Sequence, residues 1–327
     1  MFSKTAAALS AIALSAAALV GCSSSSESTG GDSGGGDSYS IGINQLVQHP
    51  SLDAAAEGFQ AAFEDAGVDV KFDIQNANGE QATAVSISQQ MASAQHDLYL
   101  AIATPAGQAM SKSIKDKPLL FTAVTDPVEA ELVETVDKPG KNVTGTSDAA
   151  PIEEQVELIT QLVPDAKSVG VVYSSAEVNS KVQVEQLTEA AKPKGIEVKS
   201  QTVTSVTEIP QAVEALGDVD AIYIPTDNMV VSGISSLIKV ANDKTIPVIA
   251  ADSGAVEGGA AATIGIDYKE LGRQTGEMAL RILQDGADPA ETPVETASEY
   301  TYVINEEAVK AQGIEVPKEI LEKAEKL

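Results

Sequence analysis

The sequence predicts an α/β fold made of two doubly wound parallel-sheet lobes, and three observations carry that expectation. From Tyr39 onward, short β-branched runs alternate with longer amphipathic stretches. The short runs are continuously apolar, as strands buried on both faces must be. The alternation then restarts near residue 152, which gives two βαβ series of similar length rather than one long sheet.

The first series opens with a strand at 39–46 (YSIGINQL) and a helix at 51–67 that stops at Gly67. Strands at 68–77 (VDVKFDIQNA), 97–104 (DLYLAIAT) and 118–125 (PLLFTAVT) follow, with helices between them at 79–94 and 105–114. Pro105 suits the first turn of the last helix, where its missing N–H removes no bond. In these helices apolar residues recur at spacings of three and four, the period of one buried face. The second series runs helix 152–164, strand 167–175 (KSVGVVYSS), helix 179–195, strand 196–203 and helix 206–216. It continues with strand 221–227 (AIYIPTD), helix 228–243 and strand 247–252 (PVIAAD). Residues 254–259 (GAVEGG) read as a loop. A strand at 260–267, a long helix at 268–286, a strand at 297–305 and a helix at 306–313 close the chain.

The amino terminus sets an address. Lys4 precedes an apolar run at 5–20 that falls short of a bilayer span of about 20 residues, so residues 1–21 read as a secretory signal peptide. The run ends in Leu19-Val20-Gly21-Cys22, which resembles a bacterial lipobox, and lipidation is expected at Cys22. Residues 22–38, rich in Ser and Gly, form a flexible tether of about 20–25 Å. This places the protein on the extracytoplasmic face of a cell membrane, held by its lipid. Cys22 is the only cysteine, so the body must stand without a disulfide. With 48 acidic against 21 basic residues and a net charge of −27, nucleic acid is excluded as a partner. A monomer without a cofactor is expected.

In open parallel sheets ligands sit beyond the carboxyl ends of the strands. There the first series offers Gln45, Thr104, Thr125 and Asp126, and the second offers Ser174, Ser175, Asn179, Thr226, Asp227, Asn228 and Asp252. Such residues also cap the helices that follow. Thr125-Asp126, Ser174-Ser175 and Thr226-Asp227-Asn228 are denser than single caps require. Ser174 and Ser175, beside a helix starting near Asn179, suit an anion. Carboxylates at Asp126, Asp148, Asp227 or Asp252 suit an ammonium group, and the combination fits an amino-acid zwitterion. His49 and His96 read as surface residues. No phosphate loop, GxSxG elbow, HExxH or metal-ligand spacing is present, so no enzyme is expected.

The chain resembles the bacterial ABC-transporter substrate-binding lipoproteins with a type I periplasmic-binding fold, the group that includes tryptophan and tyrosine uptake proteins. The matching segments include IGINQLVQHPSLDAAAEGFQAAFEDAG (41–67), AIATPAGQA (101–109), FTAVTDPVEAELV (121–133), NVTGTSD (142–148), VGVVYSSAEVNS (169–180), AIYIPTDN (221–228), PVIAAD (247–252) and TIGIDYKELGRQTGEMALRIL (263–283). The resemblance implies two lobes joined by three crossovers, near 148–151, 265–267 and 288–296, closing on a ligand cleft. The first lobe would be 39–148 plus 266–290, and the second 149–265 plus 291–327. It implies capture of a small ligand, an amino acid and an aromatic one among the choices, for a membrane permease of an ABC importer. Asp148 joins the strand-end residues above in the implied pocket. A ligand carboxylate would meet Ser174, Ser175 and Asn179, an amine Asp148 or Asp252, and an apolar side chain Leu46, Pro105, Ala106 or Pro127. A sensing module for a signalling receptor, or a nucleoside- or sugar-binding protein, remains the alternative; the lack of Trp speaks against a hexose.

Overall fold

The structure, a computed structural model, describes residues 38–297 and 299–327; the expected signal peptide, lipidation site at Cys22 and tether up to residue 37 lie outside them. The first lobe holds β1 (Tyr39–Gln45), α1 (Pro50–Asp65), β2 (Val70–Asn76), α2 (Gln81–Ala94), β3 (Leu98–Ile102), α3 (Thr104–Ser113), β4 (Leu119–Val124) and β5 (Val143–Ser147). The second holds α4 (Ile152–Leu162), β6 (Ser168–Ser174), α5 (Val178–Ala191), β7 (Glu197–Val203), α6 (Ile209–Ala215) and β8 (Ala221–Ile224). It continues through α7 (Asn228–Ser232), α8 (Ile234–Lys244), β9 (Val248–Ala250), α9 (Ser253–Glu257) and β10 (Ala262–Gly265). The chain returns to the first lobe for α10 (Tyr268–Asp285) and β11 (Glu295–Thr296). It ends in the second with β12 (Thr301–Ile304), α11 (Glu306–Ala311), α12 (Lys318–Leu321) and β13 (Glu325–Lys326).

The strands run β2-β1-β3-β4-β5-β11 in one sheet and β7-β6-β8-β9-β10-β12-β13 in the other. All neighbours are parallel except β10 and β12. Each sheet therefore repeats the doubly wound order in which strand addition switches from one side of its first strand to the other, and that switch point opens a crevice at the carboxyl ends.

Four local departures from the sequence reading have physical causes. β5 (VTGTS) was not anticipated because Thr and Gly give it no apolar run, yet all five residues are buried. A Cβ on Gly145 would stand 2.0 Å from the Phe121 carbonyl oxygen, so glycine lets β5 lie against β4 there. The register between them shifts from Phe121 to Val124, with Ala123 at φ +56°. This bulge re-aims the chain just before Thr125. The expected helix 228–243 is broken at Gly233 into α7 and α8, and a Cβ at Gly233 would meet Ile209 at 2.8 Å. Residues 254–259 are not all loop, because Asp252 accepts from the Ala255 N–H at 3.1 Å and starts α9. Finally, Glu295 and Thr296 pair with Thr146 and Ser147 of the first sheet, so the chain does not join the second lobe at 291; that passage lies between Thr296 and Thr301.

One apolar cluster fills the first lobe, and Phe59, Phe63 and Phe72 meet there with ring centroids 5.3–6.3 Å apart. Helices α1 and α10 touch backbone to backbone. A Cβ on Gly272 would lie 2.0 Å from the Ala55 carbonyl oxygen, and one on Gly58 would lie 1.9 Å from that of Lys269. That seam fixes α10, and hence Tyr268 at its start, to the first lobe. In the second lobe two separate clusters cover the two faces of the sheet.

Candidate functional site

The loops at the carboxyl ends of the two sheets close around a narrow polar cavity with free space of only about 10 Å³. The first lobe contributes His49, Ser51 and Leu52 after β1 and Ala123 and Thr125 at the bulged end of β4. The second contributes Asn179, Thr226, Asp227, Asn228, Val231 and Asp252. Asp148 and Tyr268 line it from beside two of the three connections between the lobes.

The structure thus brings Thr125, Asp148, Asn179, Thr226, Asp227, Asn228 and Asp252 together, and leaves five expected residues off the wall. Gln45 turns away, its Nε2 donating to Val47 O at 2.9 Å and to Asp53 Oδ1 at 2.6 Å. Asp126 Oδ1 closes a turn, accepting from the Val128 and Glu129 N–H groups, both at 3.0 Å. The Ser174 N–H donates to Asp227 Oδ2 at 2.6 Å, and its Oγ accepts from Ala176 N. The Ser175 N–H is spent on Val203 O. An anion at the two serines would therefore face the Asp227 carboxylate, which already holds that position. Thr104 is 1 % exposed at the first turn of α3, and its hydroxyl has no partner. The apolar lining is Leu52, Ala123 and Val231 rather than Leu46, Pro105, Ala106 or Pro127.

Both histidines depart from the surface reading. His96 is 7 % exposed and pairs with Ser40 Oγ through Nδ1 at 2.7 Å. His49 lines the cavity, with Nε2 3.4 Å from Asn228 Oδ1 of the opposite lobe and Nδ1 buried without a partner. Burial holds its imidazole below the ordinary value, against the pull of Asp252, Asn228 and Asp53, so it is neutral near pH 7. His49, Ser51 and Tyr268 were missed; the signal for the first two is their place directly after β1, at the switch point.

The cavity is acidic, and no lysine or arginine lines it. Asp148 Oδ2 accepts from the Tyr268 hydroxyl at 2.7 Å, while Oδ1 is buried with no partner. Burial lifts this carboxyl to about 6, with the Tyr268 bond and the nearby Thr125 hydroxyl opposing the shift. Asp227 Oδ2 accepts from Ser174 N and Ser180 Oγ, both at 2.6 Å, and Oδ1 caps α7 through Val230 N at 2.8 Å. Its carboxylate is fully used by the protein, although burial pushes its pKa up. Behind the wall stands Glu177, 4 % exposed, which burial and then the neighbouring Asp227 charge raise to about 7.

Direct bonds join the lobes across the cavity. Ser51 Oγ donates to Asp252 Oδ1 at 2.6 Å, Thr125 and Thr226 hydroxyls meet at 3.2 Å, and Gln81 Nε2 donates to Ala176 O at 3.0 Å. These contacts exist only when the lobes are shut. Two lobes, three connections and a polar cavity between opposed switch points define a binding protein that closes on a small ligand.

Comparison with known proteins gives the family. Residues 40–327 match the ABC transporter substrate binding protein family, and the chain belongs to it. Membership implies a small-molecule ligand and a membrane permease as partner. The chain is 44 % identical to a tyrosine-binding protein of Clostridioides difficile over 277 residues, covering 83 % of this chain and 80 % of that protein. It matches a Streptococcus pneumonia protein in complex with L-Trp at a TM-score of 0.85 and 38 % identity, covering 89 % and 99 % of the two chains. A ligand-free, open substrate-binding protein from Clostridium difficile is 44 % identical, yet its TM-score is 0.68, with 88 % and 99 % covered. The lobes of this structure thus stand closer to a ligand-bound arrangement than to an open one.

Proposed function

We propose that this chain is a lipid-anchored, extracytoplasmic binding protein that captures an amino acid, aromatic by class, and presents it to the permease of an ABC importer. The observation that carries the reading is Asp148 Oδ1, a buried carboxylate oxygen without a partner in a cavity lined by no lysine or arginine. An ordered ammonium group supplies the missing charge and donor, and charge-assisted bonds of this kind are about twice as strong as neutral ones. Asp227 and Asp252, on the second lobe, are the other acids of the wall, and Asp227 is already spent on the protein. The carboxylate of the same ligand would meet hydroxyl donors of the wall itself, Thr125 and Thr226. Its side chain would lie against Leu52, Ala123 and Val231. What the relatives bind supports the class, since one is a tyrosine-binding protein and another was seen with L-Trp. Lipid attachment at Cys22, after cleavage of residues 1–21, would keep the body beside the permease.

A thermal-shift screen of amino acids, nucleosides and sugars tests the reading. A ligand at 100 times its Kd adds about 2.7 kcal/mol of stability, which raises Tm by several degrees. A shift confined to amino acids and lost in Asp148→Asn is the expected result. A shift with sugars or nucleosides alone would overturn it. In the same cells, Cys22→Ala should release the protein from the membrane fraction.

A further inference from the structure

Glu177 closes a network that the binding reading leaves unused. It sits between β6 and α5, buried beside the cavity but not on its wall. Its Oε2 accepts from Asn179 Nδ2 at 3.1 Å, Asn228 Nδ2 at 2.6 Å and Asn228 N at 3.2 Å, and its Oε1 accepts from Met229 N at 3.1 Å. Two of these donors belong to side chains that line the cavity. Among the described residues no ion pair neutralises it. A buried carboxylate given four donors and no cation is an organiser of those donors.

We propose that Glu177 is the positioning residue of the second lobe's wall: its ionised carboxylate sets where Asn179 and Asn228 stand, and so couples ligand capture to the release of a proton. Protonation converts an acceptor-only group into one with an O–H donor. Oε1 is the oxygen with room for the proton, and there it opposes the Met229 N–H at the head of α7. The segment 228–229 then loses its anchor, and Asn228 swings with it, together with the bond it makes to His49. The charged and titratable groups around Glu177 are few. Asp227 faces it from the turn after β8, His49 reaches it through Asn228 from the first lobe, and Lys181 on its own helix is exposed. Burial first and the Asp227 charge second oppose ionisation, which places the transition near neutral pH, about 7, where a modest change outside the cell moves it.

The inference rests on the binding reading for its functional half, so two measurements separate them. In the ligand-free full-length protein, ¹H–¹⁵N spectra follow the side-chain amides of Asn179 and Asn228 between pH 5.5 and 8.5, a range of about 3 units around the transition. Both should titrate together in the wild type and stay still in Glu177→Gln. Calorimetry with L-tyrosine and L-tryptophan should show affinity falling about tenfold per pH unit below the transition, as one-proton linkage requires. Glu177→Gln should bind at least about tenfold more weakly at pH 8, with the pH slope gone between 8 and about 6.5, above the range where Asp148 titrates. Amides insensitive to pH, or a variant with wild-type affinity and slope, would overturn the proposal. Should Glu177→Gln fail to fold, the wild-type profile decides, since a flat one is incompatible with it. If neither amino acid binds at any pH, the amino-acid reading fails while the amide titration still decides the role of Glu177.

Discussion

Replacing Gly254 by alanine should wedge the lobes apart without harming either one. Gly254 lies in α9 of the second lobe and is not among the glycines in the left-handed region, so its backbone accepts a side chain. A Cβ there would stand 2.2 Å from Ser51 Oγ and 3.0 Å from Ser51 N, both on the opposite lobe. Rotating the serine away relieves the first contact but breaks the 2.6 Å bond to Asp252 Oδ1; parting the lobes by about 1 Å breaks it as well. Either way the closed form loses a hydrogen bond to a charged group, about 1.5–3 kcal/mol. When only the closed form holds ligand, apparent Kd scales inversely with its population, so affinity should fall about ten- to a hundredfold. Calorimetry reads the affinity, and small-angle scattering reads a larger radius of gyration at saturating ligand. Ser51→Ala removes the nearer of the two atoms the wedge strikes, so the double variant should lose less than the sum of the two single losses. Wild-type affinity in Gly254→Ala, or strictly additive losses in the pair, would refute the role given to this contact.

Two further outcomes follow from the same coordinates. Burial lifts Asp148 from 3.8 to about 6, so the folded form keeps a proton that the unfolded chain has released between those values. Its contribution is full below about pH 4 and lost as pH rises to about 6, by about 3 kcal/mol; urea unfolding of Asp148→Asn should lack that slope, show higher stability at pH 7, and accompany loss of ligand. Gly272→Ala pushes a methyl group to 2.0 Å from the Ala55 carbonyl oxygen, and the overpacked seam of α1 and α10 should cost about 1–3 kcal/mol or more in urea unfolding.

The layered fold was legible because buried strands such as LYLAI and LLFTAV announce themselves by continuous apolarity. β5 escaped that signal, since a Thr- and Gly-rich strand is recognisable only through the β4 edge it completes. The two-residue β11 has no pattern of its own either; it exists because Thr146 and Ser147 offer it a partner. At the site, strand-end position found Thr125 and the Thr226–Asn228 turn, while Asp148, after the unanticipated β5, was implied in the pocket only by the family resemblance. The same rule could not separate Ser174 from them, because both a ligand and a neighbouring carboxylate want a free N–H, and in this chain Asp227 claims it. Ser51 and Tyr268 were hidden for a different reason: their value lies in what another element brings opposite them, Asp252 in one case and Asp148 in the other.

The late return of the chain to the first sheet has a consequence for dissection. Because β11 lies in one lobe and β12 and β13 in the other, a single cut anywhere before Glu295 leaves a carboxyl-terminal piece that owes strands to both. Neither lobe can be produced alone as one uninterrupted fragment. Cleavage in the exposed stretch after α10 would instead give two complementing fragments, the smaller of which must dock on two sheet edges at once to rebuild the molecule. The same three-strip stitching acts as a leaf hinge with three knuckles: it permits a swing about one axis and resists both sliding and twisting of one leaf on the other.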